Sequence, residues 1–592
     1  MSAPSRKFHL RLCLPLCALC ASAQSTVQVS VSSAGVGGNG FSLNPALSAD
    51  GRCVVFSSTA SNLVASDPDA TEDVYVRDLV AGTTELASQD SNGVHGNGAS
   101  LANGISADGR FVLFESLASN LVPGDINGRS DIFVRDRLLG TTELVSVSSA
   151  GAIGNGNSVT SALSPDGRYA SFRSRANNLV PNDTNNEWDV FLRDLANGTT
   201  ERVNLGPANA QAHGDSYTTS VSEGGRFVIF SSLATDLVPG DLNGQRDVFV
   251  RDRLLAATIL ISVSSTGIPS NGDSHAGYLS ADGRFGTFVS SATTLVPNDT
   301  NGVQDVFVHE FATHTTTRAS VRPDGVEADA WSTGCGISPD GRFVAITSDA
   351  NNLVPGDLGV RDLFVRDSWT GSMERVTLGA GGVPADQDCW CWGGAISADA
   401  RRVVFFSTAS NLVPSNPGGQ FDVYLRERGA SSSFLALCAG DAGCPCGNPG
   451  LAGRGCENSA GTGGALLAAA GEASLSADTL QFSVAGELPS ALSIALQGDA
   501  LVAPAAFGDG LRCAGGHLKR LYVANASGGA LALPPVGGQG LSARSAALGD
   551  PLGLGATRVY QVYYRDPNLG FCAAPAGGSF NVSGALAVVW GS

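Results

Sequence analysis

Ser106-Ala107-Asp108-Gly109-Arg110-Phe111-Val112-Leu113-Phe114 is the stretch on which the fold turns. Asp-Gly is the turn chemistry of a tight β-hairpin, and the apolar run after Arg110 does not alternate, so it reads as a strand covered on both faces. The same Ser-x-Asp-Gly-Arg grammar begins at Ser48, Ser106, Ser164, Ser222, Ser280, Ser338 and Ser397, spaced by 58 residues five times and then by 59. Two copies are imperfect: the fourth reads Ser222-Glu223-Gly224-Gly225-Arg226, and the seventh has Ala400 in place of Gly. The period survives both changes, which marks a repeat architecture.

Each unit continues in the same way, with Asn120-Leu121-Val122-Pro123-Gly124-Asp125-Ile126-Asn127-Gly128, then Asp131-Ile132-Phe133-Val134-Arg135-Asp136, then Thr142-Glu143-Leu144-Val145-Ser146. Counting the segment ahead of each Ser-x-Asp, every unit supplies four short strands. The fold class expected is all-β: a seven-bladed β-propeller of four-stranded blades plus a C-terminal β-sandwich-like domain. Middle strands such as Val54-Val55-Phe56 and Val248-Phe249-Val250 are apolar on consecutive residues, and stacked blades cover both faces without helices. A closed ring is preferred to a flat solenoid because it protects the sheet edges.

The chain enters the unit part-way. Thr26 to Gly35 matches Thr142 to Gly151, so the N-terminus supplies an outer strand that reads as a ring-closing clasp. The seventh unit has its own candidate at Phe434 to Leu437, which leaves eight candidates for seven places. The domains expected are a signal peptide over 1–23, the propeller over 24–437, a Cys/Gly-rich linker over 438–464 and a β-domain over 465–592.

Ser-Pro-Asp-Gly-Arg followed by an apolar triplet, and then Asp-Val-Phe-Val-x-Asp, resembles the repeat of TolB-like propellers, related to WD-repeat blades, over about residues 26 to 437. The resemblance implies a scaffold that serves binding proteins and enzymes alike. The run from Cys444 to Ser459, with the closing Tyr-Gln-Val-Tyr-Tyr-Arg-Asp-Pro, resembles a C-terminal module of secreted proteins from planctomycete-type bacteria.

Composition narrows the partners. Arg6, Lys7 and Arg11 precede a short apolar run and Ala21-Ser22-Ala23, which reads as a secretory signal cut after Ala23, and no later run is long enough to span a membrane. A net charge of -18 argues against nucleic acid. Lys7 and Lys519 are the only lysines, which nearly closes lysine chemistry. The expected location is secreted, periplasmic or cell-surface.

Asp125, Asn127 and Asp131, Asp241, Asn243 and Asp247, and Asp299, Asn301 and Asp305 fall at a spacing that resembles part of a calcium loop. Pro123, Pro239 and Pro297 occupy its first ligand position, so the same residues also read as Asx turns with Gly at positive φ. Calcium is the one cofactor these loops suggest. The Asp of Ser-x-Asp-Gly lacks the trailing Trp of a sialidase Asp-box and reads as a hairpin turn. The Arg after it, with Arg77-Asp78, Arg135-Asp136 and Arg251-Asp252, reads as inter-blade ion pairs or a solvated rim.

No Gly-x-Ser-x-Gly or His-Glu-x-x-His occurs, and His95, His213, His275, His309, His314 and His517 share no place in the period. Cys438, Cys444, Cys446, Cys456, Cys513 and Cys572 form an even tail set that implies disulfides in an exported chain. Cys444-Pro445-Cys446 lacks the paired knuckles of a zinc site. Cys335 and Cys391 sit in similar segments of adjacent blades and are a candidate bridge, while Cys53 and Cys389 lack an evident partner. The function expected is a non-catalytic binding or scaffold protein for an extracellular or periplasmic protein or glycan. Its rival is a polymer-degrading hydrolase or lyase with an acidic site in the propeller funnel.

Overall fold

The computed structural model describes residues 24–592 except 68, 358, 415–417, 429–433, 438–443, 445–453, 457, 463, 471–472, 474, 476–477, 508–509, 536, 554–555, 567–579 and 591–592. The expected signal peptide, and Cys438, Cys446 and Cys572, lie outside the described residues.

Seven four-stranded antiparallel sheets form the blades. Blade one comprises Ser42–Leu47, Cys53–Ser58, Asp73–Asp78 and Thr83–Leu86 from the channel outward, and blades two to six repeat that order. Each Ser-x-Asp-Gly turn joins the two innermost strands: Ser106 Oγ donates to Asp108 Oδ1 at 2.6 Å, Arg110 N–H donates to the same oxygen at 3.0 Å, and Gly109 takes φ 73°. Ala400 adopts φ 56° at the same place, which is why the alanine copy keeps the turn.

Consecutive apolar residues pack as expected against the blades on either side. Phe114 stacks on Phe133 at 5.7 Å between centroids and Phe230 on Phe249 at 5.7 Å, all four fully buried. The first residue of each third strand is a buried acid that accepts a bond from the blade's outer edge, as Asp131 does from Ser146 Oγ at 2.6 Å.

Blade seven is closed by the N-terminus. Ser25–Gln28 pairs antiparallel with Asp422–Glu427, and Ser30 Oγ donates to Asp422 Oδ1 at 2.7 Å, the role that Ser146 plays in blade two. Leu47 N–H donates to Gly394 C=O at 2.9 Å, joining blade one to blade seven. Phe434–Leu437, counted with the propeller by the repeat, pairs instead with Phe580–Val589. The propeller's last strand therefore ends at Glu427, because the clasp already occupies the outer place.

The C-terminal domain has a five-stranded sheet in the order Phe434–Leu437, Phe580–Val589, Thr557–Arg565, Leu492–Gly498 and Lys519–Asn525. A three-stranded sheet of Leu466–Ala470, Gln481–Ala485 and Ala530–Leu533 shares a core with it, where Phe482 and Tyr560 lie 4.8 Å apart and Trp590 is fully buried. Cys335–Cys391 and Cys444–Cys456 are disulfides, Cys513 is disulfide-bonded, and Cys53 and Cys389 are free and buried.

The ion pairs differ from expectation. In blades one to six the arginine of this turn pairs inside its own blade, as Arg110 with Asp136 at 2.6 Å and Arg342 with Asp367 at 2.7 Å, because the turn and the end of the third strand meet at one edge, and in blade seven Arg402 pairs with Glu427 at 3.3 Å. Inter-blade pairs use other arginines, such as Arg137 with Glu85 at 2.5 Å and Arg428 with Glu374 at 2.7 Å.

Candidate functional site

The inner strands run side by side around a central channel with two unlike mouths. At the Ser-x-Asp end a ring of aliphatic residues that includes Leu47, Ile105, Leu163, Leu279, Ile337 and Ile396 lines a cavity of about 560 Å³. Gly553 of the C-terminal domain also lines it, and Thr557 Oγ1 donates to Asp340 Oδ2 at 3.3 Å, so the second domain stands against this mouth.

At the waist of the channel the residue before each inner aliphatic is small in blades one to four and six, Ala46, Gly104, Ala162, Ser220 and Gly336, with Asn103, Thr219 and Gly394 beside them. Tyr278 takes the equivalent place in blade five, and its Oη accepts the Gly393 N–H of blade seven at 2.8 Å. A phenol reaching past blade six narrows the bore on that side. The Cys335–Cys391 bridge, linking the inner strands of blades six and seven, holds the segment that carries Gly393.

The opposite mouth is built from departures from the repeat. The residue ahead of each invariant third-strand acid is Glu72, Ser130, Trp188, Arg246, Gln304, Arg361 or Phe421, seven positions with little chemistry in common. Each of these residues accepts, through its carbonyl, the N–H of the first inner-strand residue of the next blade at 2.7–2.9 Å. One backbone rule thus delivers seven different side chains to the rim.

Their neighbours are equally varied. Arg173 lies over Trp188 at 4.7 Å and Tyr217 at 4.3 Å, Arg175 over Trp188 at 5.3 Å, and Arg246 over Tyr217 at 4.8 Å. Arg246 also donates to His275 Nδ1 at 3.1 Å, and burial together with that guanidinium holds the imidazole below its usual pKa. Arg361 stacks on Trp331 at 5.0 Å and Trp390 at 5.5 Å. Trp390, Phe406, Phe421, Trp392 and Phe41 continue as one aromatic cluster, with Trp392 58% exposed and Phe41 52% exposed. Four of the six tryptophans meet at this rim.

Acids stand among them. Burial raises the Glu115 carboxyl, which accepts Thr160 N–H at 3.2 Å, and a hydrogen bond with the Asp215 carboxyl raises that of Glu187. Ordered indoles, stacked guanidiniums and scattered carboxylates form a surface that can stack on a flat ligand and hydrogen-bond its edge.

The loops singled out for calcium are held by amides. Asn127 Nδ2 donates to Asp131 Oδ2 at 2.5 Å and Gly154 C=O at 3.1 Å, Asn243 to Asp247 at 2.6 Å and Ser270 C=O at 3.0 Å, and Asn301 to Asp305 at 2.8 Å and Ala328 C=O at 3.0 Å. Asp125, Asp241 and Asp299 are brought to the same loops, each carboxyl raised first by burial. The variable rim was missed in sequence; its signal was the changing residue before an unchanging Asp.

No protein-family model matches the chain, and no curated protein sequence matches it. Among solved structures it is similar to an oligogalacturonate lyase from Vibrio parahaemolyticus, with 11% identity, TM-score 0.40, and 68% of this chain and 93% of that one covered. It is also similar to the β-propeller domain of the Trilobed protease from Pyrococcus furiosus, at 12%, 0.39, 63% and 91%. A putative TolB from Agrobacterium tumefaciens gives 17%, 0.29, 51% and 87%. At these values the likeness extends to the propeller architecture and no further. Among the described residues no helix is long and apolar enough to cross a membrane.

Proposed function

We propose that the protein is an exported, non-catalytic binding propeller that holds a glycan at its variable mouth. The observation that carries this reading is the gathering of four tryptophans and the Arg173, Arg246 and Arg361 stacks at one rim of an otherwise regular scaffold. Sugar rings offer apolar C–H faces to indoles and hydroxyls to guanidiniums and carboxylates, and pre-stacked side chains lose little freedom on binding. Disulfides suit an oxidising compartment, which agrees with the expected export signal. The C-terminal domain, whose sequence resembles a module of secreted bacterial proteins, is assigned to surface association in this reading.

The test is a glycan array followed by calorimetry on the best ligand. Trp331→Ala and Trp392→Ala should each weaken binding about 10-fold or more, the range of a central aromatic contact, while Trp369→Ala, away from the rim, should leave it unchanged. Binding insensitive to both rim variants overturns the assignment. Turnover of a glycan or peptide that disappears in Glu115→Gln or Glu187→Gln would establish the rival hydrolase or lyase instead.

A further inference from the structure

We propose that blade one, alone among the described blades, carries a calcium site between Asp67, Asp69 and Asp73. The argument rests on how six blades neutralise the same pair of buried acids. The loop acid and the first acid of the third strand recur as Asp67 with Asp73, Asp125 with Asp131, Asp183 with Asp189, Asp241 with Asp247, Asp299 with Asp305, and Asp357 with Asp362.

In blades three, five and six an outer-strand arginine answers them. Arg202 lies 3.4 Å from Asp189, Arg318 3.2 Å from Asp305 and Arg375 3.3 Å from Asp362. Blades two and four have Leu144 and Leu260 in that place, and the amides of Asn127 and Asn243 donate to Asp131 and Asp247 instead.

Blade one has neither device. Leu86 stands at the arginine position, and Asp69 replaces the asparagine. A third carboxylate has been added where the loops of blades two to five bring an asparagine amide, and one oxygen from each of Asp67, Asp69 and Asp73 lies within 4.8 Å of the other two. Asp73 is fully buried; its Oδ1 accepts Ser88 Oγ at 2.6 Å, while its Oδ2 has no hydrogen-bond partner among the described residues. In blade two the matching oxygen, Asp131 Oδ2, is the one the Asn127 amide fills. The unpartnered oxygen therefore faces the place that Asp69 has taken.

Isolated charges are not left buried without compensation. Three carboxylates are a hard oxygen set suited to calcium. The Asn127 amide also bonds the Gly154 carbonyl, whose counterpart in blade one is Gly96, a fourth oxygen donor at the same loop. Tyr75 Oη donates to Asp67 Oδ2 at 2.5 Å and steadies that acid. His95 borders the cluster, within electrostatic reach of Asp69 and Asp73, and its imidazole is the protein's own rival to a cation there.

The experiment is calorimetry on the full chain after chelator treatment, with calcium, magnesium and zinc chlorides titrated separately. One calcium per chain is expected, with a melting temperature raised by at least about 2 °C at saturation. Asp69→Asn restores the arrangement of blade two, so it should fold, lose calcium uptake and melt independently of chelator, while His95→Gln should keep binding. If Asp69→Asn fails to fold, Asn127→Asp should raise the stoichiometry from one ion to two. Absence of calcium uptake in the unaltered protein, uptake that persists in a folded Asp69→Asn chain, or preference for zinc would each overturn the site.

Discussion

Ring closure can be tested residue by residue along the clasp. Ser30 Oγ donates to Asp422 Oδ1 at 2.7 Å and accepts Val423 N–H at 3.2 Å, and both Ser30 and Asp422 are buried. Ser30→Ala removes a charged bond worth roughly 1.5–3 kcal/mol and takes away the hydroxyl that accepts Val423 N–H. Gln28 Nε2 also donates to Asp422 Oδ1 at 2.8 Å, which softens the loss to about 2 kcal/mol. Val29 is fully buried, so Val29→Ala should cost about 2 kcal/mol, whereas Val27, 43% exposed, should cost under about 0.5 kcal/mol. Removing residues 24–33 loses all of these and the paired strand, so it should cost more than about 4 kcal/mol and expose a sheet edge that promotes aggregation. Equilibrium urea unfolding followed by tryptophan fluorescence reads the series, with Trp390 and Trp392 reporting from blade seven. Ser146→Ala, the same bond inside blade two, supplies the reference at about 2 kcal/mol. If the deletion costs no more than Val27→Ala, the N-terminus does not close the ring. Deleting Phe434–Leu437 should leave the propeller transition in place, since that strand belongs to the other domain.

Two further outcomes follow from buried chemistry. Burial pushes the carboxyls of Asp131, Asp189, Asp241 and Asp362 up to about 6, so the stability they contribute is full below about pH 4 and lost as pH rises through 6, on the order of 1 to 3 kcal/mol each. Asp78 and Asp194, held at about 2 by Arg52 and Arg168, contribute in the opposite sense, with stability lost as pH falls from about 4 towards 2. Melting temperatures measured with chelator from pH 3 to 8 should therefore peak near pH 4 to 5, and a steady rise to pH 8 would contradict this. Replacing Cys335 and Cys391 together by serine should cost about 2 to 4 kcal/mol, given a sequence separation of 56 residues, and identical urea midpoints for both forms would refute it.

The period announced the propeller because Ser-x-Asp-Gly turns and doubly covered strands are local signals that repeat in register. The clasp was legible for the same reason: Thr26 to Gly35 copies a segment two periods downstream. The C-terminal strands were less so, since Leu466–Ala470 and Ala500–Phe507 are rich in alanine and carry no strong alternation. The variable rim was written openly in Trp188, Arg246 and Phe421, yet which end of a blade each side chain reaches depends on hydrogen bonds to the following blade. Asp69 is a single-letter departure whose meaning emerges only beside Leu86, 17 positions away and across the blade.

Tyr278 makes the channel lopsided. Its phenol meets the Gly393 N–H at 2.8 Å across the front of blade six, while blades one to four present only Ala46, Gly104, Ala162 and Ser220 at the equivalent places. A ligand that enters the bore meets an aromatic hydroxyl on one side and small residues on the other, so it has one distinguished orientation in a scaffold whose repeats would otherwise offer seven.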